Sequence, residues 1–368
     1  MRFRGVALAA IVSCFCVGQA AAQEIPFRLV DNMILLPIEV NGVPTVGRID
    51  TGGALSLIHP VFSGELGLYS SGSVLAGGAS SKLRRHIMVS PVDVKLGDHI
   101  RTSQPLMVIS LNSMAPDAKD RVGLTLGMDV LHDMVMEIDF DRSVIEFSPA
   151  DTFTDFPTTA PMKLQWSRGG RTLSGAITGS KSIRVHFDTG NPGSVNMGEY
   201  VARSALKGQK SSQFLVTGVD GSHPHRSSNL PSLTMAGVTF KNVPAAVAPD
   251  RRDETIGIGL DVMKRFNLVL DFTRDRIWMT SNSKVGEAFR KDRSGIGTYS
   301  NTWPKRVTYV APGSPAYRGG FKAGEVIDHV LDDGGARLEE MDDLAEGQRL
   351  TIMMSDGVRR ELVAQAYY

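Results

Sequence analysis

Leu126–Phe147, LGMDVLHDMVMEIDFDRSVIEF, occurs twice in this chain: it aligns without a gap with Ile258–Met279, IGLDVMKRFNLVLDFTRDRIWM. Gly127/Gly259, Asp129/Asp261, Val130/Val262, Asp139/Asp271, Phe140/Phe272, Arg142/Arg274 and Ile145/Ile277 are identical, seven of 22 positions. Working outward, each copy is preceded by a glycine-bearing hairpin tip, VLAGGASSKL from Val74 and FLVTGVDGSH from Phe214. Before each tip stands an Asp-Thr-Gly, at 50–52 and at 188–190. Three pairs of features in one register point to internal duplication, and self-similarity at a fixed period is read before any local signal.

Each Asp-Thr-Gly leaves an alternating strand that follows a turn: Asn41-Gly42 before VPTVGRI, and Thr178-Gly179-Ser180-Lys181 before SIRVHF. Asn-Gly between apolar alternations is a strong signal for a two-residue hairpin. Six residues past each Asp is a serine, Ser56 and Ser194. A single Asp-Thr-Gly arises by chance in about one chain in ten of this size, and a lone copy reads equally well as a turn capped by its own Asp. Two copies in matched surroundings carry more. Homologous halves would face each other through equivalent loops, setting Asp50 beside Asp188. Two carboxylates that close cannot both ionise easily and share one proton. The ionised member can then deprotonate a water while the protonated one donates to a carbonyl, with no metal, cofactor or covalent intermediate.

At this point the chain resembles the retropepsin-like and pepsin-like aspartic proteases in a single-chain, two-lobed form. The residues carrying the resemblance are the two Asp-Thr-Gly triplets and the elements LTLGMD and GIGLDV. The resemblance implies two duplicated β-barrel lobes with pseudo-two-fold symmetry in a mainly β chain. It implies that Asp50 and Asp188 are catalytic and that Thr51, Gly52, Thr189 and Gly190 shape their loops. It also implies flaps near Gly77, Gly78 and Gly218 that fold over a peptide or protein substrate. Gly53 and Asn191 stand where pepsin-like enzymes carry Ser or Thr. Losing that hydroxyl donor favours a higher carboxylate pKa, hence a mildly acidic to near-neutral optimum. Neither flap carries the Tyr of pepsin-like flaps.

Further on, APGSPAYRGGFKAGEVI (Ala311–Ile327) resembles bacterial PDZ domains. That likeness implies an α+β module with a carboxylate-binding loop at Ser294, Gly295, Ile296 and Gly297. Its groove, between residues 298–300 and a helix near 338–344, would capture a C-terminal peptide as an added strand. The expected organisation is a signal peptide at 1–22, lobes at 23–150 and 162–283, linkers at 151–161 and 284–293, and the PDZ module at 294–368.

Bulk properties narrow the rest. With 42% apolar residues, 38 Gly and 18 Pro in 368, the chain suits turn-rich β structure with real cores. A formal charge of +1 gives no field for nucleic acid. The start MRFRGVALAAIVSCFCVGQAAAQ has the charged, apolar and small-residue order of a secretory signal, so export to the periplasm or outside is expected. Both cysteines, Cys14 and Cys16, lie within it; the apolar run before Cys14 is short for a lipid-anchor site, and no later run reaches 18 residues. His223 and His225 read as surface residues of a Gly/Pro loop without a ligand set for a metal. Asp129 and Asp261 read as caps of the helix after each Gly. No His-Glu-x-x-His, Gly-x-Ser-x-Gly or phosphate-binding glycine loop occurs. The sequence thus points to an exported aspartic endopeptidase; the alternative is an inactive peptide-binding adaptor on the same scaffold.

Overall fold

A computed structural model describes residues 23–78, 82–111, 121–167, 170–298, 303–339, 341 and 344–368. The signal-like segment with its two cysteines, the first hairpin's tip at 79–81 and residues 299–302 lie outside the described residues.

Asn41 and Gly42 both take positive φ, 49° and 78°, closing a two-residue turn between Met33–Val40 and Val43–Ile49. Such a turn twists with its strands, which is why Val40 pairs directly with Val43. Val43–Ile49 then pairs in parallel with Val122–Leu126, a five-residue strand buried throughout. The second half repeats this: Ser180–Phe187 pairs in parallel with the fully buried Thr255–Ile258. Strands buried on both faces are largely apolar, and these two are, apart from the buried Thr125 and Thr255.

The 22-residue repeats build a six-stranded sheet of their own. Met134–Asp139 pairs antiparallel with Phe266–Asp271, and Glu137 stands opposite its own counterpart Val269. Outside this central pair lie Val144–Pro149 with Ile25–Pro26 on one side and Arg276–Ser281 with Met162–Lys163 on the other. Val130, Met136, Phe140, Val262, Leu268 and Phe272 belong to one continuous apolar core drawn from both halves.

The fold class expected from the sequence needs correction. The chain is mostly β with mixed topology: four large sheets and, among the described residues, five short α-helices, the longest of seven residues. The expected barrels are not found. Strands of both halves are drawn into the shared six-stranded sheet, and the ten-stranded sheet runs from an edge at Ser70–Ala76 to another at His99–Thr102. In the eight-stranded sheet, Gly170–Ile177 also touches Gly221–Met235 over two residue pairs, curling that sheet.

Nor is a discrete PDZ-like module evident. The C-terminal strands Ile296–Thr298, Lys305–Val310, Val326–Leu331, Arg349–Met354 and Arg359–Val363 form a sheet whose helix, Pro315–Arg318, has four residues. Where the groove's helix was expected, Leu338 is in a strand and Glu339 and Met341 are bends; 340, 342 and 343 lie outside the described residues. This sheet is tied to the preceding half: Ser212 donates to the Pro312 carbonyl and Asn229 to that of Tyr368.

Candidate active site

The strand Val43–Ile49 ends at Asp50, whose N–H donates to the Leu126 carbonyl at 2.9 Å; Ser180–Phe187 ends at Asp188, bound likewise to Ile258 at 3.2 Å. Each loop is therefore hung on the buried strand behind it. Ser56 donates to Asp129 at 2.7 Å and Ser194 to Asp261 at 2.6 Å. The repeated serine and the repeated Asp of each half are thus partners. This corrects the expected capping role: Gly127 and Gly259 occupy the N-cap positions, and Asp129 and Asp261 sit one residue inside the first turn, bound to the serines. Burial, outweighing the bond from Ser56, pushes the Asp129 carboxyl up.

The two loops interlock. Thr51 N–H donates to Thr189 Oγ1 at 3.0 Å and Thr189 N–H to Thr51 Oγ1 at 3.1 Å, while Thr51 Oγ1 donates to the Phe187 carbonyl. Both threonines are buried. A Cβ on Gly52 would collide with the Asp188 carboxyl, and one on Gly190 with the Asp50 carboxyl. Each glycine therefore makes room for the other loop's acid. Asp50 Oδ1 accepts from Gly52 and Gly53 N–H at 3.1 and 2.9 Å, and Asp188 Oδ1 from Gly190 N–H at 2.9 Å. Burial, and after it the negative charge of Asp50, pushes the Asp188 carboxyl up to about 7.

One charged neighbour went unread in the sequence. Arg48, 4% exposed, donates from Nη2 to Asp50 Oδ2 at 3.2 Å. Residues i and i+2 share a strand face, so a lone cation in VPTVGRI two residues before Asp50 was the available signal. Lys264 was also missed; it binds Asp261 and Asn32, both at 2.9 Å, and Asn32 donates to the Pro192 carbonyl.

Asp50 and Asp188 lie in a cleft of about 1540 Å³ that Gly77, Gly78 and Gly218 also line. Gly78 lies against Val219 and Asp220 at the opposite hairpin's tip. Gly295, Ile296 and Gly297 also line this cleft. His223 and His225 are on the strand Gly221–Met235, not in a surface loop: His223 pairs with Asp220 at 3.2 Å and His225 is buried. Among the described residues no group of three His, Cys, Asp or Glu is arranged to hold a metal, and no helix is long and apolar enough to cross a membrane. Half-buried His186 contacts the Arg171 carbonyl and is held below its ordinary range, by burial first.

The family described as aspartyl protease matches residues 173–262. That segment, which holds Asp188 and the second hairpin, is similar to an aspartic-protease domain. No curated protein matches the chain.

Proposed function

We propose that the protein is an aspartic endopeptidase whose active pair is Asp50 and Asp188. The carrying observation is the reciprocal fit of the loops, each glycine facing the other loop's carboxyl at the floor of one cleft. Two carboxyls in this relation hold one proton between them. The ionised one takes a proton from water as the water oxygen bonds to the peptide carbon, and the protonated one gives its proton to the carbonyl oxygen. Collapse of the resulting gem-diol breaks the C–N bond. The proton first taken from water passes to the leaving nitrogen, and a gem-diol hydroxyl returns the other to the pair. Thr51 and Thr189 keep the loops in register, and the hairpins at Gly77, Gly78 and Gly218 cover an extended protein or peptide substrate. The amino-terminal segment implies export, so unfolded extracytoplasmic proteins are suitable substrates.

The test is cleavage of an unstructured protein by the wild type, Asp50→Asn and Asp188→Asn. Each substitution is expected to cost at least about 10³-fold in kcat, as loss of a general acid or base does. Asp188→Asn is the cleaner variant, since Asp50→Asn also strips Arg48 of its partner. Turnover surviving in both would overturn the reading, and a folded wild type without turnover would favour a peptide-holding groove. The pH profile is a second check. The working pair carries one proton, so activity falls as pH rises through about 7, where Asp188 loses it. A mildly acidic optimum is expected; a maximum above pH 8 would contradict it.

A further inference from the structure

We propose that Arg48 is a positioning residue that decides which member of the pair carries the charge: it holds Asp50 as the anion that takes the proton from water, leaving Asp188 as the donor to the substrate carbonyl. The inference rests on the protease reading and deepens it. A guanidinium stays protonated at any pH the protein meets, and a buried cation without a counter-ion is costly. Arg48 is such a cation: its side chain is 5% exposed, Nη2 reaches Asp50 Oδ2, Nη1 reaches only the Met33 sulfur at 3.5 Å, and Nε is buried without a partner. Asp50 is the one carboxylate that Arg48 touches among the described residues. The charge of Arg48 also reaches Asp188, but its hydrogen bond goes to Asp50. Protonating Asp50 would give up that charged contact, so the pair's single negative charge belongs on Asp50.

The other loop lacks this arrangement. Two residues before Asp188 stands His186, whose ring is turned to the Arg171 carbonyl. The two Asp-Thr-Gly loops are therefore alike in backbone and unlike in charge. Other ionisable groups line the cleft with Asp50, among them Asp188, Asp31, His225, the Asp261–Lys264 ion pair, and a mixed-charge set that includes Arg251, Lys284, Glu287, Arg290, Lys291, Asp292 and Lys305. Of these only Asp188 belongs to the paired loops. Burial, and after it the charge of Asp50, push the Asp188 carboxyl up, while the charge of Arg48 pulls it back down; it is the contact geometry that distinguishes the two acids.

The test compares wild type, Arg48→Met and Arg48→Lys, each checked by thermal unfolding, by two readouts. The first is the acidic limb of kcat against pH, which reports protonation of the ionised acid. An opposite charge this close is worth about 1–3 pH units, so in Arg48→Met the limb should move up by about one unit or more. At pH values below the limb kcat should fall about tenfold for each unit that the limb moves, with KM little changed, and Arg48→Lys should recover most of the shift. The second readout is ¹³C-carboxyl titration of wild type without substrate, in which Asp50 should ionise before Asp188. A limb unmoved in folded Arg48→Met, or Asp188 ionising first in wild type, overturns the assignment. Should Arg48→Met not fold, the titration still decides. The titration needs no turnover, so failure of the protease reading, seen as turnover surviving in both Asp50→Asn and Asp188→Asn, is distinguishable from failure of this one.

Discussion

At Gly190 the space for a single methyl is already taken by the Asp50 carboxyl, and Gly52 stands in the same relation to Asp188. Gly190→Ala must push the acids apart, and misplacing reacting groups by about 1 Å costs on the order of 10²-fold in rate. Turnover should fall about that much, and overpacking should cost about 1–3 kcal/mol in urea unfolding. Gly64 is the contrasting site, in the helix Pro60–Glu65 with open space where its Cβ would be. Gly64→Ala should leave kcat alone and gain up to about 1 kcal/mol from helix propensity. Equal effects of the two substitutions would mean that the close approach at the acids does not matter. The threonines give a milder case. Thr51→Val removes the acceptor for Thr189 N–H and the donor to the Phe187 carbonyl. A buried amide left unmatched costs about 1–3 kcal/mol, measurable by the same unfolding assay.

Among the elements, the antiparallel pair Met134–Asp139 and Phe266–Asp271 joins the two halves, and it carries a misfit acid. Burial first, then Glu146 across the strand pair and Asp155, push the Glu137 carboxyl up to about 7. Between its ordinary 4.5 and about 7 the folded state binds more protons than the unfolded one. Stability from this group is therefore complete below pH 4.5 and lost as pH rises through about 7. Glu137→Gln should gain about 1–2 kcal/mol over wild type at pH 8, allowing for screening of a part-exposed group, and nothing at pH 4. Urea titrations at the two pH values check this; equal gains at both would remove the electrostatic cause. This element also shows what the sequence could tell. The duplicated segment was legible as identities at fixed spacing, and the hairpin turn at Asn41-Gly42 as turn chemistry. That the two copies pair with each other was not, because strand partners are chosen by tertiary packing and leave no local signal. The same limit hid the barrels' absence and the strand at Leu338 where a groove helix was expected. At the site, the Asp-Thr-Gly pair was legible by repetition, whereas Arg48 occurs in only one copy and a search for repeats passes over it.

Across the whole molecule, the cleft that holds the acids is lined by two hairpins from different halves. Ser70–Ala76 with Arg84–Val89 forms one, and Ser211–Gly218 with Gly221–Met235 the other. A Cβ on Gly78 would lie 3.0 Å from Val219 Cγ2, and the Arg84 guanidinium lies against Gly221. With Gly78 against Val219 and Arg84 against Gly221, an extended chain reaches the cleft from its ends or by parting the hairpins. On the proposed function, a protein substrate with structure on both sides of the cleaved bond would have to part them. The geometry permits a direct trial, since about 3 Å is also the separation of a Cβ from the far sulfur across a disulfide. The only cysteines are Cys14 and Cys16, so both are first replaced by Ser. Gly78→Cys with Val219→Cys in that background should cross-link on mild oxidation. Cleavage of a large unstructured protein should then fall at least tenfold, cleavage of a short peptide should fall less, and reductant should restore both. The Asp pair is untouched by either substitution, so the loss would measure access alone. Full turnover of the large substrate by completely cross-linked protein would mean that the hairpins need not separate and that chains thread in from the ends.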